Sequence, residues 1–239
     1  MGKLTNMTPE LMESKMDVRG SAEMLMATME AMAGASEFPV IRAKVPSGGG
    51  RYFAFDDDAM PPTGSIEGVI VASQYANVYW DRPMGEGDAA PTCSSQDGLS
   101  GWYMEDGEMM ERSCRTCPYN KMGSAGGGKK GKACKNIVRL MMLAEGQTLP
   151  VEIKVPTMSV NNFSRYLSRE IVPRGLKIWQ VTTKLSLREA TNGGGIKYGQ
   201  IVFECTGRVD DEEINAIRAS VQPMLLGAGE EKKEADTDE

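Results

Sequence analysis

Four cysteines, Cys93, Cys114, Cys117 and Cys134, carry the spacing C-x20-C-x2-C-x16-C in a chain of 239 residues. A C-x2-C pair puts two thiolates on one tight turn, at a separation that suits one tetrahedral ion, and two more cysteines at loop distance complete a four-sulfur shell. Such a shell leaves no open position for water. The expectation is therefore a structural Zn2+ that orders loops with few other means of ordering. An iron–sulfur cluster takes the same ligands, and Cys114/Cys117 alone has the spacing of a redox pair. The fifth cysteine, Cys205, lies in the apolar run QIVFEC and reads as a core residue.

Two other chemistries can be weighed at once. The chain has no histidine, which removes Ser-His-Asp and Cys-His nucleophile activation and every mixed Cys/His metal site. The expectation is a protein that is not an enzyme. The stretch Gly123 to Lys129 matches G-x4-G-K, as does Gly126 to Lys132, but Lys130 and Ala133 stand where a nucleotide-bound magnesium needs Ser or Thr. Neither match follows a strand, so a nucleotide-hydrolysing loop is rejected. Asp56-Asp57-Asp58 and Asp210-Asp211 could hold magnesium for a nuclease, yet they read more simply as a turn and a helix start.

Charge segregates around the thiols. From Arg112 to Arg139 there are eight basic residues and no acid: Arg112, Arg115, Lys121, Lys129, Lys130, Lys132, Lys135 and Arg139. The preceding stretch, Asp81 to Glu111, has eight acids and one arginine. In a chain of net charge −6 this predicts a local positive face, whose simplest partner is a polyanion. Single-strand binders add aromatic faces on which bases stack. Trp102 and Tyr119, in polar glycine-rich surroundings, are the stacking candidates; Trp80, Trp179 and Tyr198 could equally be core.

The elements that would position these residues follow from periodicity. Methionine and leucine at loose helical spacing predict a helix from Thr8 to about Met32, with Thr8-Pro9-Glu10 as its start. Strand-like runs lie at 38–45, 51–55, 65–73 and 77–80. The period-2 pattern then lapses over 81–134 and returns at 136–145 and 149–155. A helix is expected over Met158 to Val172, stopped by Pro173 and Gly175. Strands at 177–189 and 195–207 flank the hairpin turn Asn192-Gly193-Gly194. A last helix is expected at about Asp211 to Leu226.

The resulting order is strand, long insertion, strand, strand, helix, strand, strand. That is the chain order of a five-stranded oligonucleotide-binding (OB) barrel. The expected fold is α+β, mainly β, with a zinc-binding insertion (81–135) between strands 1 and 2 of the barrel. The expected domains are an N-terminal helical segment (1–35), an OB-like domain (36–226) and a disordered acidic tail (227–239), whose last ten residues hold six acids and two lysines. No run is long enough to span a bilayer and no secretory pattern opens the chain, so a cytoplasmic protein without membrane partners is expected.

CSSQDG, CRTCPYN and GKACKN, followed by LPVEIKVPTMSVNNFSRYL, resemble a group of phage-encoded proteins with a four-cysteine insertion, regarded as single-stranded DNA-binding. The resemblance covers about residues 65–207 and the tail. It implies an OB-like barrel, zinc at Cys93, Cys114, Cys117 and Cys134, and a role in phage DNA replication or recombination in the host cytoplasm. The partners it implies are single-stranded DNA, replication or recombination proteins at the acidic tail, and a further copy of the chain. The competing expectation is a zinc-ribbon transcription or interaction protein that contacts polymerase or duplex DNA.

Overall fold

The computed structural model describes residues 11–13, 16, 18–31, 40–46, 48–81, 91–128, 130–147, 149–209, 214, 215, 218 and 219. It is mainly β. In chain order the elements are α1 (Val18–Ala31), β1 (Ile41–Lys44), β2 (Ala54–Phe55), β3 (Ser65–Tyr79), β4 (Cys93–Ser95), β5 (Ser100–Glu105), β6 (Glu108–Ser113), β7 (Lys135–Ala144), β8 (Val151–Val155), α2 (Thr157–Tyr166), β9 (Val181–Thr191) and β10 (Lys197–Arg208).

These strands form one mixed, open sheet in the order β2-β1-β8-β7-β3-β4-β5-β6. All neighbours are antiparallel except β1 and β8, which run parallel. The long strand β3 organises it. One edge of β3 pairs with β7 from Gly68 to Val78. Its other edge pairs first with β9, over Ser65 to Val69, and then with β4, over Asn77 to Tyr79. A bulge between Ile70 and Ala72 adds the twist that lets one strand serve both partners. Gly68 sits where a Cβ would stand 2.1 Å from the Leu143 carbonyl oxygen, so only glycine allows this approach.

Strand alternation sorts the side chains onto two faces. The inner face holds Ile66, Ile70, Val138, Leu140, Met142, Ile153, Leu185 and Ile201 in the larger core. α2 closes that core with Phe163 and Tyr166; the Phe163 and Phe203 rings lie 5.4 Å apart. Its last turn widens into a π-helical turn at Leu167–Ile171, then tightens at Val172–Arg174. Gly175 at φ 68° ends it. The outer face carries a smaller core of Val69, Val71, Met141 and Leu143, covered by Leu25 of α1 and by Val209 and Ile214. Each such fully buried aliphatic side chain contributes about 1.5–3 kcal/mol.

The order strand, insertion, strand, strand, helix, strand, strand is present as β3, β4–β6, β7, β8, α2, β9, β10. Several elements differ from expectation. Ser65–Tyr79 make one strand where two, at 65–73 and 77–80, were expected. The first helix begins at Val18, and Glu13 instead bridges to Arg208. β9 begins at Val181 because Ile178–Gln180 form a helical turn first. The insertion, expected to be irregular, contains three strands. Of the last expected helix, residues 214, 215, 218 and 219 are described, and they are helical. The acidic tail lies outside the described residues. Among the described residues no helix is long and apolar enough to cross a membrane.

Candidate nucleic-acid interface and cysteine cluster

The chain reverses at each side of the cysteine cluster for local reasons. Asp97 accepts hydrogen bonds from the Leu99 and Ser100 backbone N–H groups, at 2.7 and 2.9 Å, and from the Ser95 hydroxyl. Burial works against the Asp97 carboxylate, but these donors together hold its pKa below the usual value. The turn they build aims β5 back along β4. Asp106 at φ 52° and Gly107 at φ 85° then form the tight reversal into β6. From Cys114 the chain enters the C-x2-C turn and a short helical turn at Pro118–Asn120. The Cys114 N–H donates to the Leu99 carbonyl at 2.7 Å, and the Cys134 N–H to the Tyr119 carbonyl at 3.0 Å.

These reversals bring all four predicted cysteines to one small cavity of about 20 Å³, lined also by Tyr79, Gly101, Arg112, Tyr119 and Asn120. A Cβ at Gly101 would stand 3.0 Å from the Cys93 Sγ and 3.4 Å from the Cys114 Sγ, so glycine leaves the space the sulfurs occupy. All four cysteines are free thiols. Burial, then the neighbouring Cys114, Cys117 and Cys93, push the Cys134 thiol up to about 11. Burial likewise raises Cys93, followed by Cys114 and Cys117, with Arg112 opposing. Among the described residues, no group of three or more Cys, Asp or Glu side chains stands ready-made as a metal-holding set. The thiols line a common space without that arrangement.

A polar network ties the cluster to the sheet. Lys132 Nζ donates to Asn120 Oδ1 at 3.1 Å and Asn136 Oδ1 at 2.8 Å. Asn136 donates in turn to Asn77 and Asn120, while Asn120 Nδ2 donates to the Cys114 carbonyl at 2.9 Å. Tyr119 stacks on Tyr79 with ring centroids 4.3 Å apart.

The predicted basic residues divide into groups. Arg115, Lys121, Lys130 and Lys135 are exposed. Arg112 is half-buried at the cavity, its guanidinium 4.3 Å over the Tyr103 ring. Lys132 is committed to the asparagine network. Lys129 lies outside the described residues. Arg139 corrects the expectation of a phosphate ligand: 11% exposed, it pairs with Glu152 at 2.8 Å, and Glu152 is itself 4% exposed. Arg139 also donates to Gln96 at 3.1 Å. Arg42 approaches the same Glu152 at 3.4 Å from β1. The carboxylate is thus held between two guanidiniums, and its pairing to Arg139 needs β8 beside β7, a neighbour relation no local pattern announces.

One arrangement was not foreseen. The registers Lys135↔Val78, Val78↔Ser94, Ser94↔Trp102 and Trp102↔Glu111 make a single cross-strand row over five strands. Directly paired residues share a face. Trp102, 44% exposed, and Lys135 therefore lie on one face, three strand spacings or about 14 Å apart. Arg139↔Lys154 places exposed Lys154 on that face too. The alternation in VEIKV, with Val151, Ile153 and Val155 inward, was the available signal for Lys154. Tyr119 belongs instead with the cavity, half covered by Tyr79. Compared with known proteins, the chain matches no family model, no curated protein and no solved structure.

Proposed function

We propose that this protein binds single-stranded DNA without catalysis, on the outer sheet face that carries Trp102, Lys135 and Lys154, beside a zinc-stapled insertion. The observation that carries the reading is the cross-strand row from Lys135 to Trp102. It sets a stacking surface and a phosphate-seeking ammonium group on one side of one sheet, with Lys154 on the same face and Glu111 beside Trp102, a combination that single-strand binding uses. Arg115, Lys121 and Lys130 on the knuckle loops extend the positive field. A role in DNA replication or recombination is the natural setting for such an activity.

The OB-like reading is supported by the strand and helix order, and by β3 serving partners on both edges. The sheet itself is open: among the described strands β10 hydrogen-bonds to β9 alone, and the edge of β8 away from β7 is taken by β1. Zinc is supported by the donor set. Four thiols line one cavity, a donor set that suits a single tetrahedral ion. Bound there, zinc supplies a closed structural link between Cys93 on β4 and the loops holding Cys114, Cys117 and Cys134. It offers no open position for reaction chemistry.

The test is a competition gel shift with labelled single-stranded DNA against unlabelled duplex, at two salt concentrations, with tryptophan fluorescence in parallel. Tighter binding to the single strand, quenching of Trp102 emission and loss of affinity with salt are expected. Preference for duplex would overturn the reading and favour the zinc-ribbon alternative; affinity indifferent to salt would overturn it as well.

A further inference from the structure

β6 stands at the end of the sheet. Among the described residues it pairs with β5 alone, so its outer row of backbone N–H and C=O groups faces away from the molecule. Exposed sheet edges are ordinarily blunted by proline, charged side chains (lysine above all), a bulge or a covering loop; of these β6 carries charges of both signs, Glu108, Glu111 and Arg112, which can pair across a two-fold. β6, with sequence EMMERS, has neither proline nor lysine, and its six pairs with β5 run without a register shift. It also exposes apolar surface, Met109 at 48% and Met110 at 39%, beside Met104 of β5 at 57%.

We propose that β6 joins two copies of this chain, antiparallel, about a two-fold axis through Met110. The charges select that register. Centred on Met110, the position of Glu108 in each copy is opposite that of Arg112 in the other, whose guanidinium lies 4.3 Å over Tyr103 in the single chain and turns to the edge to meet it; Met109 is opposite Glu111, and Met110 opposite Met110. Opposite charges in directly opposed positions attract and like charges repel. Moving the centre to Glu111 sets Glu111 against Glu111, and moving it to Arg112 sets Arg112 against Arg112. A parallel in-register pairing sets each glutamate against itself. Of the two-fold registers centred on a residue of β6, the Met110 register pairs Glu108 with Arg112 and sets no like charges directly opposite, while Glu111 faces Met109.

The two-fold axis stands normal to the sheet, so both Trp102 faces end on the same side of one continuous sheet. A single six-residue strand pair buries little area, on the order of 1,200 Å² or less, which is the range of weak, concentration-dependent association. The proposal does not depend on nucleic-acid binding.

Sedimentation equilibrium of the full chain, without nucleic acid, tests it. The wild-type mass should rise with concentration from 26.0 kDa toward twice that value. Met110→Lys, which sets two ammonium groups together at the axis and leaves Arg112 untouched, should stay at the single-chain mass. Glu108→Arg and Arg112→Glu should each lose the dimer, and an equal mixture of the two should regain it, because each arginine pair then faces a glutamate pair. A wild-type chain that stays monomeric at high micromolar concentration overturns the proposal. So does a Met110→Lys protein that associates like wild type, or two folded charge variants whose mixture stays monomeric.

Discussion

At the scale of single residues, two aromatic side chains that look alike in sequence have separate roles. Trp102 lies on the open sheet face in line with Lys135, whereas Tyr119 is stacked on Tyr79 over the cysteine cavity. Trp102→Ala should therefore weaken binding to an oligonucleotide by about 1–3 kcal/mol, roughly five- to 150-fold, with a larger effect on affinity than on the melting temperature. Tyr119→Ala should do the reverse: a lower melting temperature and a small change in affinity. Equal affinity losses from both would sink the assignment of the face. Gly101 offers a second residue-level test. A methyl group there meets two sulfurs at 3.0 and 3.4 Å. Gly101→Ala should weaken the proposed zinc site about tenfold or more, read by competition with a chromogenic chelator, because the added methyl pushes two of its sulfurs aside.

At the scale of elements, the insertion shows what periodicity can and cannot reveal. Its cysteine spacing was enough to predict that four thiols would meet. Its three strands were missed because Trp102, Met104 and Met109 lie on a solvent-facing side, so no apolar/polar alternation marks β5 and β6. The Asp106-Gly107 dipeptide was the overlooked sign, since both residues adopt positive φ in the hairpin turn. The loop before β5 is held by Asp97, whose carboxylate is stabilised by donors from Ser95, Leu99 and Ser100. Its pKa is lowered in the folded chain, so its contribution to stability is complete above the ordinary aspartate value near ~3.9 and is lost as pH falls through the depressed one. Thermal melts through that acid window should show a steep decline for the wild-type protein. Asp97→Asn should be less stable at neutral pH and flatter across the window. A parallel decline in both proteins would show that Asp97 does not order the loop.

At the scale of the whole molecule, the strand order and the helix before β9 could be read from the sequence because each is a local pattern bounded by Gly, Pro or Asn-Gly. What escaped was relational. The burial of Arg139 depends on β8 lying beside β7 in a register that brings Glu152 within 2.8 Å. The common face of Trp102 and Lys135 depends on four successive registers. Net charge −6 makes this distinction measurable, because only unpaired cations on the face release counterions when DNA binds. For single strands the logarithm of affinity falls with the logarithm of salt by about 0.7 per phosphate contact. Lys135→Ala and Lys154→Ala should each flatten that slope by about 0.7 and leave stability intact. Arg139→Ala should leave the slope unchanged but destabilise the fold, by less than the ~3–5 kcal/mol of an uncompensated buried charge, because Glu152 loses its closest partner while Arg42 still approaches it. Binding isotherms at several salt concentrations, with urea melts of the same variants, separate the two outcomes. A slope that flattens for Arg139→Ala as much as for the lysines would mean that the guanidinium leaves Glu152 to meet phosphate, and that the row of charges from β1 to β7 opens on binding.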